Sequence, residues 1–546
     1  MNIRQLMKRN GARLLTAVIG KGTWLDKVAK QVIDREIMLK RDTSMIRVES
    51  GLGASGIPHI GNLSDVIRAY GIQLAIQLQG YRSEHIAYID DMDGLRRVPQ
   101  GIKDAAKLEK YLAYPVSRIP DTYSCHGSYG EHVGYLLRDA MDKVGVEYVF
   151  ERASVNYKNG RLLEQTRKIL SRSEEIGRAI KEITGQEKYE DTLPYFAVCQ
   201  SCGRIYTTQA TKYEQATDSV TYKCVGVQLK GKWHEGCGYE GDVKLSQGEG
   251  KLSWKVEFAA RWAALDIRYE AHGKELLTSV KVNDWVSDNI LGFAHPYHVK
   301  YELLLSKGGK KLSKSEGNLV TPEAWFRYGS TTSLVLLMFK RIVGTRVVSV
   351  EDIPKYMDEV DRLEDIYFGR VKVSQQPKAV KLKGLYEYIM FMKPPERPSI
   401  HIPYRLLAEL GKIAPPEKPV EYVLKKLQSY RLISEKDIDP QLLQKIEMAR
   451  NWAIEVKSEV AKVKLDDIQK KAVAELVERI KSATSAEQVQ NAIFETAKSN
   501  SIDIPAFFSL LYLMLLGSDR GPRLGPYIFD VGKERVVHLL LSQLNQ

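Results

Sequence analysis

A strand, a glycine-rich turn and a helix early in the chain restrict the fold more than any other feature of this sequence. Residues 45–49 are β-prone, residues 50–56 are mostly glycine and serine, and Pro58 opens a run of apolar residues at helical spacing. Residues 84–89 have the composition of a second strand, which ends in acidic residues. This order predicts the opening of a Rossmann-like, doubly wound α/β domain.

The predicted turn and helix start carry groups that suit a nucleotide. A helix N-terminus after a glycine-rich turn offers unpaired N–H groups and the positive end of the helix dipole to a phosphate. Gly53 and Gly56 allow the turn, and His59 can donate to phosphate oxygens. Gly61 lets an adenine ring approach the backbone. We therefore predict a phosphate-binding site here.

A second candidate for phosphate binding is a loop of glycine, lysine and serine at residues 306–318. Its cationic and hydroxyl side chains are Lys310, Lys311, Ser313, Lys314 and Ser315. A flexible basic loop can close over a leaving pyrophosphate group, which stabilises the transition state more than the ground state.

Four of the five cysteines lie in one short region, which indicates metal binding rather than disulfides. Cys199 and Cys202 form a Cys-x-x-Cys pair, and Cys224 and Cys237 complete a set of four thiolates for a structural zinc ion. The second pair has the wider spacing, and His234 could replace one of the thiolates.

A weaker cluster consists of Cys125, His126 and His132 with Asp90 and Asp93. It can hold a second metal ion close to the nucleotide. It can equally be a set of polar residues that shapes the path of a nucleic-acid end. The sequence leaves both interpretations open.

Length and charge limit the class of protein. The 546 residues are enough for two to four domains, and the formal net charge of +13 suggests a polyanionic partner. No apolar stretch reaches the roughly 18 residues of a membrane span. The first residues lack the apolar core of a secretory signal. We expect a cytoplasmic protein that does not enter a membrane.

The pattern changes along the chain in a way that predicts domains. We predict a catalytic domain over residues 1–320, with an insertion at about residues 100–250 that contains the four clustered cysteines. A second α/β half begins at Trp254 inside this domain. Residues 321–384 are predicted to be a helical connection, and residues 385–546 follow a helical pattern almost throughout.

The two phosphate-binding candidates together resemble the HIGH and KMSKS signatures of the class I aminoacyl-tRNA synthetases. The corresponding segments read PHIGN at residues 58–62 and KLSKS at residues 311–315. The resemblance implies that ATP, with Mg²⁺, is bound by Pro58, His59, Gly61, Asn62, Ser313 and Lys314. It implies catalytic roles for His59, Lys311 and Lys314. Asn62 replaces the final histidine of HIGH, and Leu312 replaces the usual methionine.

A series of further segments resembles the archaeal-type class I lysyl-tRNA synthetases. They include IDDMDGLRRVP at residues 89–99, SCHGSYGEH at 124–132, WKVEFAARWAALDIRYEAHGK at 254–274 and LLGSDRGPRLG at 515–525. The resemblance implies activation of L-lysine with ATP and transfer to the 3′ end of tRNA(Lys). It also implies that residues 321–384 contact the tRNA stem and that residues 385–546 bind the anticodon. We expect a monomer.

Three alternatives remain at this point. A glutamyl enzyme would require an exposed arginine in its pocket, for which Arg47, Arg82 or Arg261 could serve. A cysteinyl enzyme would require a metal ion in the pocket itself. A non-catalytic tRNA-binding paralogue would share the fold, but the intact His59 and Lys314 argue against it.

A lysine ammonium group requires a carboxylate and an aromatic face. Residues of these kinds, with one glycine, lie at the ends of predicted strands or just before the lysine-rich loop. We predict that lysine is bound by Gly51, Trp254, Tyr301 and Glu302, with Asp91 and Trp262 as further candidates. The family often has Trp-Pro where this chain has Phe258-Ala259, and Asp-His where it has Glu275-Leu276. An expected pocket histidine is therefore missing.

Overall fold

The computed structural model of the protein describes residues 19–99, 101–302, 304–306, 320–456 and 463–544. The lysine-rich loop, with Lys311, Ser313 and Lys314, lies outside these residues. Within them the chain divides into two compact units. The first takes in the chain up to Pro322 together with Val335–Val348 and Val373–Pro394, and the second takes in Glu323–Leu334, Ser349–Lys372 and the chain from Pro395 onward.

The first unit contains all of the described strands. The strands are β1 (Ile46–Gly53), β2 (Ser83–Asp90), β3 (Val149–Arg152), β4 (Tyr195–Ala197), β5 (Thr208–Glu214), β6 (Ser219–Cys224), β7 (Gly226–Leu229), β8 (Lys232–Glu235), β9 (Glu240–Lys244), β10 (Gly250–Leu252), β11 (Ile267–Gly273), β12 (Tyr297–Tyr301), β13 (Leu304–Leu305) and β14 (Arg346–Val347).

Helices surround the main sheet and continue to the end of the described chain. They are α1 (Trp24–Met38), α2 (Ile60–Leu78), α3 (Tyr129–Val144), α4 (Ala153–Lys158), α5 (Leu163–Ser171), α6 (Ser173–Thr184), α7 (Lys188–Asp191), α8 (Glu257–Leu265), α9 (Leu277–Val286), α10 (Pro322–Tyr328), α11 (Thr331–Phe339), α12 (Ile353–Tyr367), α13 (Gln376–Ile389), α14 (Tyr404–Ile413), α15 (Pro419–Ser429), α16 (Pro440–Glu455), α17 (Asp467–Ser482), α18 (Ala486–Ser499), α19 (Ile504–Leu516), α20 (Leu524–Val531) and α21 (Lys533–Leu544).

The main sheet has five strands in the order β12-β11-β1-β2-β3, and every pair is parallel. The chain runs from β1 outward to β3 and later returns to the other side of β1, so the strand order reverses between β1 and β11. In a doubly wound sheet, ligands bind at such a reversal, outside the carboxyl ends of the strands. The predicted α/β fold class with a helical C-terminal region is confirmed.

The sheet also corrects two predicted boundaries. β1 continues to Gly53 through the predicted turn, because residues 50–53 pair with β2 as far as Asp90. The helix begins at Ile60 rather than at Pro58, because His59 is extended, with φ −131° and ψ 166°. The longer strand more than offsets the later helix start, so the end of β1 lies closer to the start of α2 along the chain than predicted.

The cysteine-bearing segment forms its own small sheets. β5, β6 and β9 make a three-stranded antiparallel sheet, β7 and β8 make a hairpin, and β4 pairs with β10. One strand of the main sheet, β3, falls inside the predicted insertion at residues 100–250. The predicted division into three regions at residues 320 and 384 stays a prediction.

The second unit is built mainly from helices. Buried aromatic side chains fix its first part: the indole N–H of Trp325 donates to Ser333 Oγ at 3.0 Å, and that of Trp452 to the carbonyl of Val350 at 2.9 Å. Among all described helices, none combines the length and the apolar character that crossing a membrane requires.

Candidate active site and metal centres

The N-terminus of α2 holds the first candidate group. Nδ1 of His59 accepts the N–H of Gly61 at 3.0 Å, and the N–H of His59 donates to Oδ1 of Asn62 at 3.0 Å. A neutral imidazole whose Nδ1 accepts carries its proton on Nε2, so the ring can act as a donor from its other edge. Asn62 and His59 together form a capping box that fixes the helix start.

The position of the His59 ring also requires glycine at residue 61. A Cβ atom at this position would lie 2.7 Å from Nδ1 and Cε1 of His59. Any larger residue would therefore displace the imidazole. The structure brings Pro58, His59, Gly61 and Asn62 together at one helix end, and their role in binding ATP stays a prediction.

A buried ammonium group lies at the carboxyl end of β2. Nζ of Lys251, only 1% exposed, contacts Asp90 at 2.5 Å, Asp93 at 2.8 Å and Glu257 at 2.9 Å. Burial alone would lower the pKa of Lys251, but the three carboxylates outweigh burial and raise this pKa well above its ordinary value. Lys251 is therefore charged at neutral pH and lies among three acids.

Trp254 joins this acidic cluster. Its indole N–H lies 3.1 Å from Oδ2 of Asp90 and 3.2 Å from Oδ1 of Asp93, the same two oxygens that Lys251 contacts. The guanidinium group of Arg96 lies 5.1 Å from the centre of the Trp254 ring. Within the described residues, Oδ1 of Asp90 is buried and accepts no hydrogen bond. One acceptor of the cluster is thus unused.

A second acidic cluster lies across the β1–β11 pair, where Glu49 and Glu270 are register partners. Nη2 of Arg261 contacts Glu49 at 2.8 Å and Glu270 at 3.2 Å, and the indole N–H of Trp262 donates to Glu270 at 2.5 Å. Burial raises the pKa of Glu49 to about 8, against the attraction of Arg261. Gly51 is adjacent, since a Cβ there would lie 3.5 Å from Arg261.

The two clusters together contain more carboxyl groups than cations. Five carboxyl groups surround two buried cations, Lys251 and Arg261, and one of the five, Glu49, has a pKa of about 8 and is largely protonated at neutral pH. The guanidinium group of Arg261 lies 4.5 Å from the ring centre of Tyr88, and Tyr88 is itself buried. This site can attract a cationic ligand, and it provides aromatic faces beside the carboxylates.

The other predicted pocket residues have partners of their own. The ring of Tyr301 lies 4.6 Å from the guanidinium group of Arg68. Glu302 forms an ion pair with Lys274 at 2.7 Å. Asp91 accepts from the backbone N–H of Ser154 at 2.7 Å and from Arg152 Nε at 2.9 Å. Of the predicted residues and further candidates, Trp254 and Trp262 donate to carboxylates of the two clusters, and Gly51 lies beside Arg261.

Sequence reasoning missed most of these charged residues: Glu49, Lys251, Glu257 and Glu270. Their position could have identified two of them, since Glu49 and Glu270 lie within β1 and β11, the two strands between which the strand order reverses. Arg261 was considered only as an exposed arginine for a glutamate substrate. It is 3% exposed and already paired with two carboxylates. Arg47 is likewise paired, with Glu84 at 3.1 Å.

The four clustered cysteines converge on one point. Sγ of Cys199 lies 3.6 Å from Sγ of Cys237, and Sγ of Cys202 lies 3.8 Å from Sγ of Cys224. Zinc–sulfur bonds of about 2.3 Å in a tetrahedron place the sulfur atoms about 3.8 Å apart. The donor set and its spacing fit a zinc ion, whereas disulfides would require sulfur atoms about 2 Å apart.

A second set of possible ligands differs from the predicted one. Asp121 joins Cys125, His126 and His132, and the ligand atoms of all four lie within 4.8 Å of one another. Asp90 and Asp93 were predicted to belong here, but they bind Lys251 instead. The correction follows from topology, because both acids are held at the end of β2 while Asp121 lies on the loop before α3.

Comparisons with known proteins agree with the geometry. Residues 22–391 match the family described as "tRNA synthetases class I (K)". A lysine–tRNA ligase of Cenarchaeum symbiosum is 46% identical over 527 residues, which cover 96% of this chain and 99% of the relative. A lysine–tRNA ligase of Haloarcula marismortui is 30% identical over 542 residues, covering 95% and 97%. One from Rickettsia africae is 29% identical over 538 residues, covering 96% and 98%.

Proposed function

Because this chain belongs to the class I tRNA synthetases of the lysine type, we propose that it is a lysine–tRNA ligase. It activates L-lysine with ATP and transfers the lysyl group to the 3′ end of tRNA(Lys). The observation that carries the proposal is the 46% identity to a lysine–tRNA ligase over nearly the full length of both chains. We expect it to act in the cytoplasm as a monomer.

The first step requires positioning more than covalent chemistry. The carboxylate of lysine attacks the α-phosphorus of ATP, the bond to the bridging oxygen breaks, and pyrophosphate leaves. In our proposal the N-terminus of α2 and the Nε2–H of His59 donate to phosphate oxygens as negative charge builds on them. Lys311, Ser313 and Lys314 hold the departing pyrophosphate. A Mg²⁺ ion bound with ATP would neutralise part of the phosphate charge.

The second step transfers the lysyl group. A ribose hydroxyl of the terminal tRNA nucleotide attacks the carbonyl carbon of lysyl-adenylate, and AMP leaves. In this proposal the protein aligns the two reactants and supplies no covalent intermediate. The helical second unit is proposed to bind the rest of the tRNA, including the anticodon.

The acidic cluster around Lys251 supports lysine as the substrate. The ε-ammonium group of lysine would be attracted by Asp90, Asp93 and Glu257, which the single charge of Lys251 neutralises only in part. Trp254 offers a ring face, and Oδ1 of Asp90 offers an unused acceptor. A glutamate side chain would instead meet repulsion from these carboxylates. Of the candidate arginines, Arg47 and Arg261 are already paired, and Arg82 lies before the start of β2, at the end of that strand opposite Asp90.

ATP–pyrophosphate exchange tests the proposal. The protein is assayed with each amino acid separately and with tRNA present, because the resembled family needs tRNA for activation. We expect exchange with lysine at a rate at least about 100-fold above that with glutamate or cysteine. Exchange with glutamate alone would change the specificity but keep the class. Tight tRNA binding without any exchange would favour a non-catalytic paralogue.

We also propose that Cys199, Cys202, Cys224 and Cys237 hold a structural zinc ion. The ion would tie the segment before β5 to the end of β6 and to the residues between β8 and β9. Asp121, Cys125, His126 and His132 are proposed to hold a second divalent ion, which would fix the loop before α3.

Metal analysis should separate the two centres. We expect about two zinc ions per chain in the purified protein, and about one in Cys199→Ser or in His132→Ala. Cys199→Ser should also make residues 200–245 sensitive to protease, because loss of the ion removes the connection between these segments. Inductively coupled plasma mass spectrometry gives the metal count. Full zinc content in Cys199→Ser would contradict the assignment of the four cysteines.

A further inference from the structure

The hairpin β7–β8 occupies the interval between two of the clustered cysteines. Cys224 ends β6 and Cys237 follows β8, so both ends of the hairpin are tied to the sulfur cluster. The N–H groups of Val225 and Gly226 both donate to the carbonyl of Thr207, at 2.9 and 3.1 Å. An isolated two-stranded hairpin is marginally stable in water, but this one has a fixed base.

The turn of the hairpin is tight and basic. Lys230 and Gly231 form a two-residue connection with φ angles of +48° and +86°, as in a type I′ turn. Lys230 and Lys232 are exposed, and neither has a carboxylate partner among the residues that the structure describes. No acidic residue occurs between Val225 and His234. The free end of the hairpin is therefore positively charged.

Trp233 lies on strand β8 of this hairpin. It is 50% exposed, although tryptophan is among the most costly side chains to leave in water. Its ring lies against the backbone of Gly226, where an added Cβ would be 2.6 Å from Cζ2. Gly226 has φ +114°, so the close approach depends on glycine. One side of the indole is covered and another remains open.

The base of the hairpin is also connected to the acidic site. Thr207, which accepts both hydrogen bonds from the hairpin, follows Tyr206. The hydroxyl of Tyr206 donates to Oδ1 of Asp93 at 2.8 Å. Through Thr207 and Tyr206, the base of the hairpin is thus joined to Asp93 in the cluster that is proposed to attract the lysine substrate.

From these observations we propose that the hairpin binds the unpaired 3′ end of the tRNA. Trp233 stacks on one of its bases, and Lys230 and Lys232 contact the adjoining phosphates. An aromatic face beside cations is the combination that binds single-stranded nucleic acid, since every base has a π face. This inference rests on the proposed function, because it assigns a contact to the tRNA of that reaction.

Equilibrium binding of full-length tRNA(Lys), and of the same tRNA lacking its unpaired 3′ nucleotides, tests the proposal. With full-length tRNA we expect Trp233→Ala to raise Kd about 5- to 100-fold and Trp233→Phe to retain most of the affinity. With the truncated tRNA, wild type and Trp233→Ala should bind equally. An equal loss with both RNAs would overturn the assignment to the 3′ end.

The salt dependence of tRNA binding tests the role of Lys230 and Lys232. The double variant Lys230→Ala, Lys232→Ala should flatten the slope of log K against log salt concentration by about 1.4, or about 0.7 per lost single-strand phosphate contact. The matched control is Lys212→Ala, Lys244→Ala, which removes two exposed lysines from β5 and β9 and should leave the slope unchanged. Equal slopes in both double variants would contradict the proposal.

Failure of this inference differs from failure of the proposed function. Wild-type protein that neither binds nor aminoacylates tRNA(Lys) would refute the function itself. Wild-type protein that does both, with hairpin variants that match it in Kd, would refute only the role of the hairpin. Zinc content and circular dichroism of each variant should match wild type, which shows that the hairpin base is intact.

Discussion

Replacing Lys251 with methionine is expected to cost about 3–5 kcal/mol of unfolding free energy and to abolish lysine activation. Methionine preserves much of the side-chain volume but leaves Asp90, Asp93 and Glu257 without their buried cation. The acceptors that hold the Trp254 indole would then protonate or rearrange. Urea denaturation and ATP–pyrophosphate exchange measure the two effects.

The control is Lys255→Met, on the same segment. Lys255 is only partly buried and its Nζ lies 3.4 Å from Ser279 Oγ, so its loss should cost less than about 1 kcal/mol. Similar destabilisation by both variants would mean that the acidic cluster does not depend on the Lys251 ammonium. Unchanged exchange in a folded Lys251→Met protein would remove the cluster from the lysine site.

The loss of stability caused by Lys251→Met should depend on pH in a defined direction. The pKa of Lys251 is raised in the folded state, so its contribution is fully present below the unfolded pKa and is lost only as pH rises through the higher folded value. Burial raises the pKa of Asp90 and Asp93, so the penalty for ionising them disappears as pH falls. The loss of unfolding free energy in Lys251→Met should therefore be constant at pH 8–10 and become smaller toward pH 5.

Replacing His59 with alanine is expected to lower the rate of lysine-dependent exchange about 100- to 1000-fold while the protein stays folded. The variant removes the Nε2–H donor at the start of α2 together with the cap that accepts from Gly61. Loss of the cap should cost about 1 kcal/mol, which is small beside the effect on rate. Lys314→Ala should cause a comparable loss, because Lys314 is proposed to hold the departing pyrophosphate.

Ser64→Ala provides the control for the helix start. The Ser64 hydroxyl donates to the carbonyl of Gly61 at 2.8 Å, so this variant disturbs the same turn without removing a proposed phosphate contact. Its exchange rate should stay within about threefold of wild type. A His59→Ala enzyme that is equally active would show that α2 binds the phosphates through its backbone alone.

The sequence determined the features that depend on local order. Alternating patterns and a glycine-rich turn were sufficient to predict β1, α2 and β2, because backbone propensity and hydrophobic spacing act over a few residues. The four cysteines were predicted as one metal centre because thiolates are specific ligands and few other roles suit them. The family was already evident from two short signatures and the segments between them.

Only the tertiary structure decided which charges meet. Lys251 and Asp90 are 161 residues apart, and no local pattern joins them. Pairing of β1 with β11 places Glu49 beside Glu270, where Arg261 binds both, and the end of β2 holds Asp90, which Lys251 binds. The same long-range placement gave Asp121, rather than Asp90 or Asp93, to the second metal cluster. Charged residues form no periodic pattern that marks their partners in the sequence. The partner of each one is therefore known only once the strands are paired.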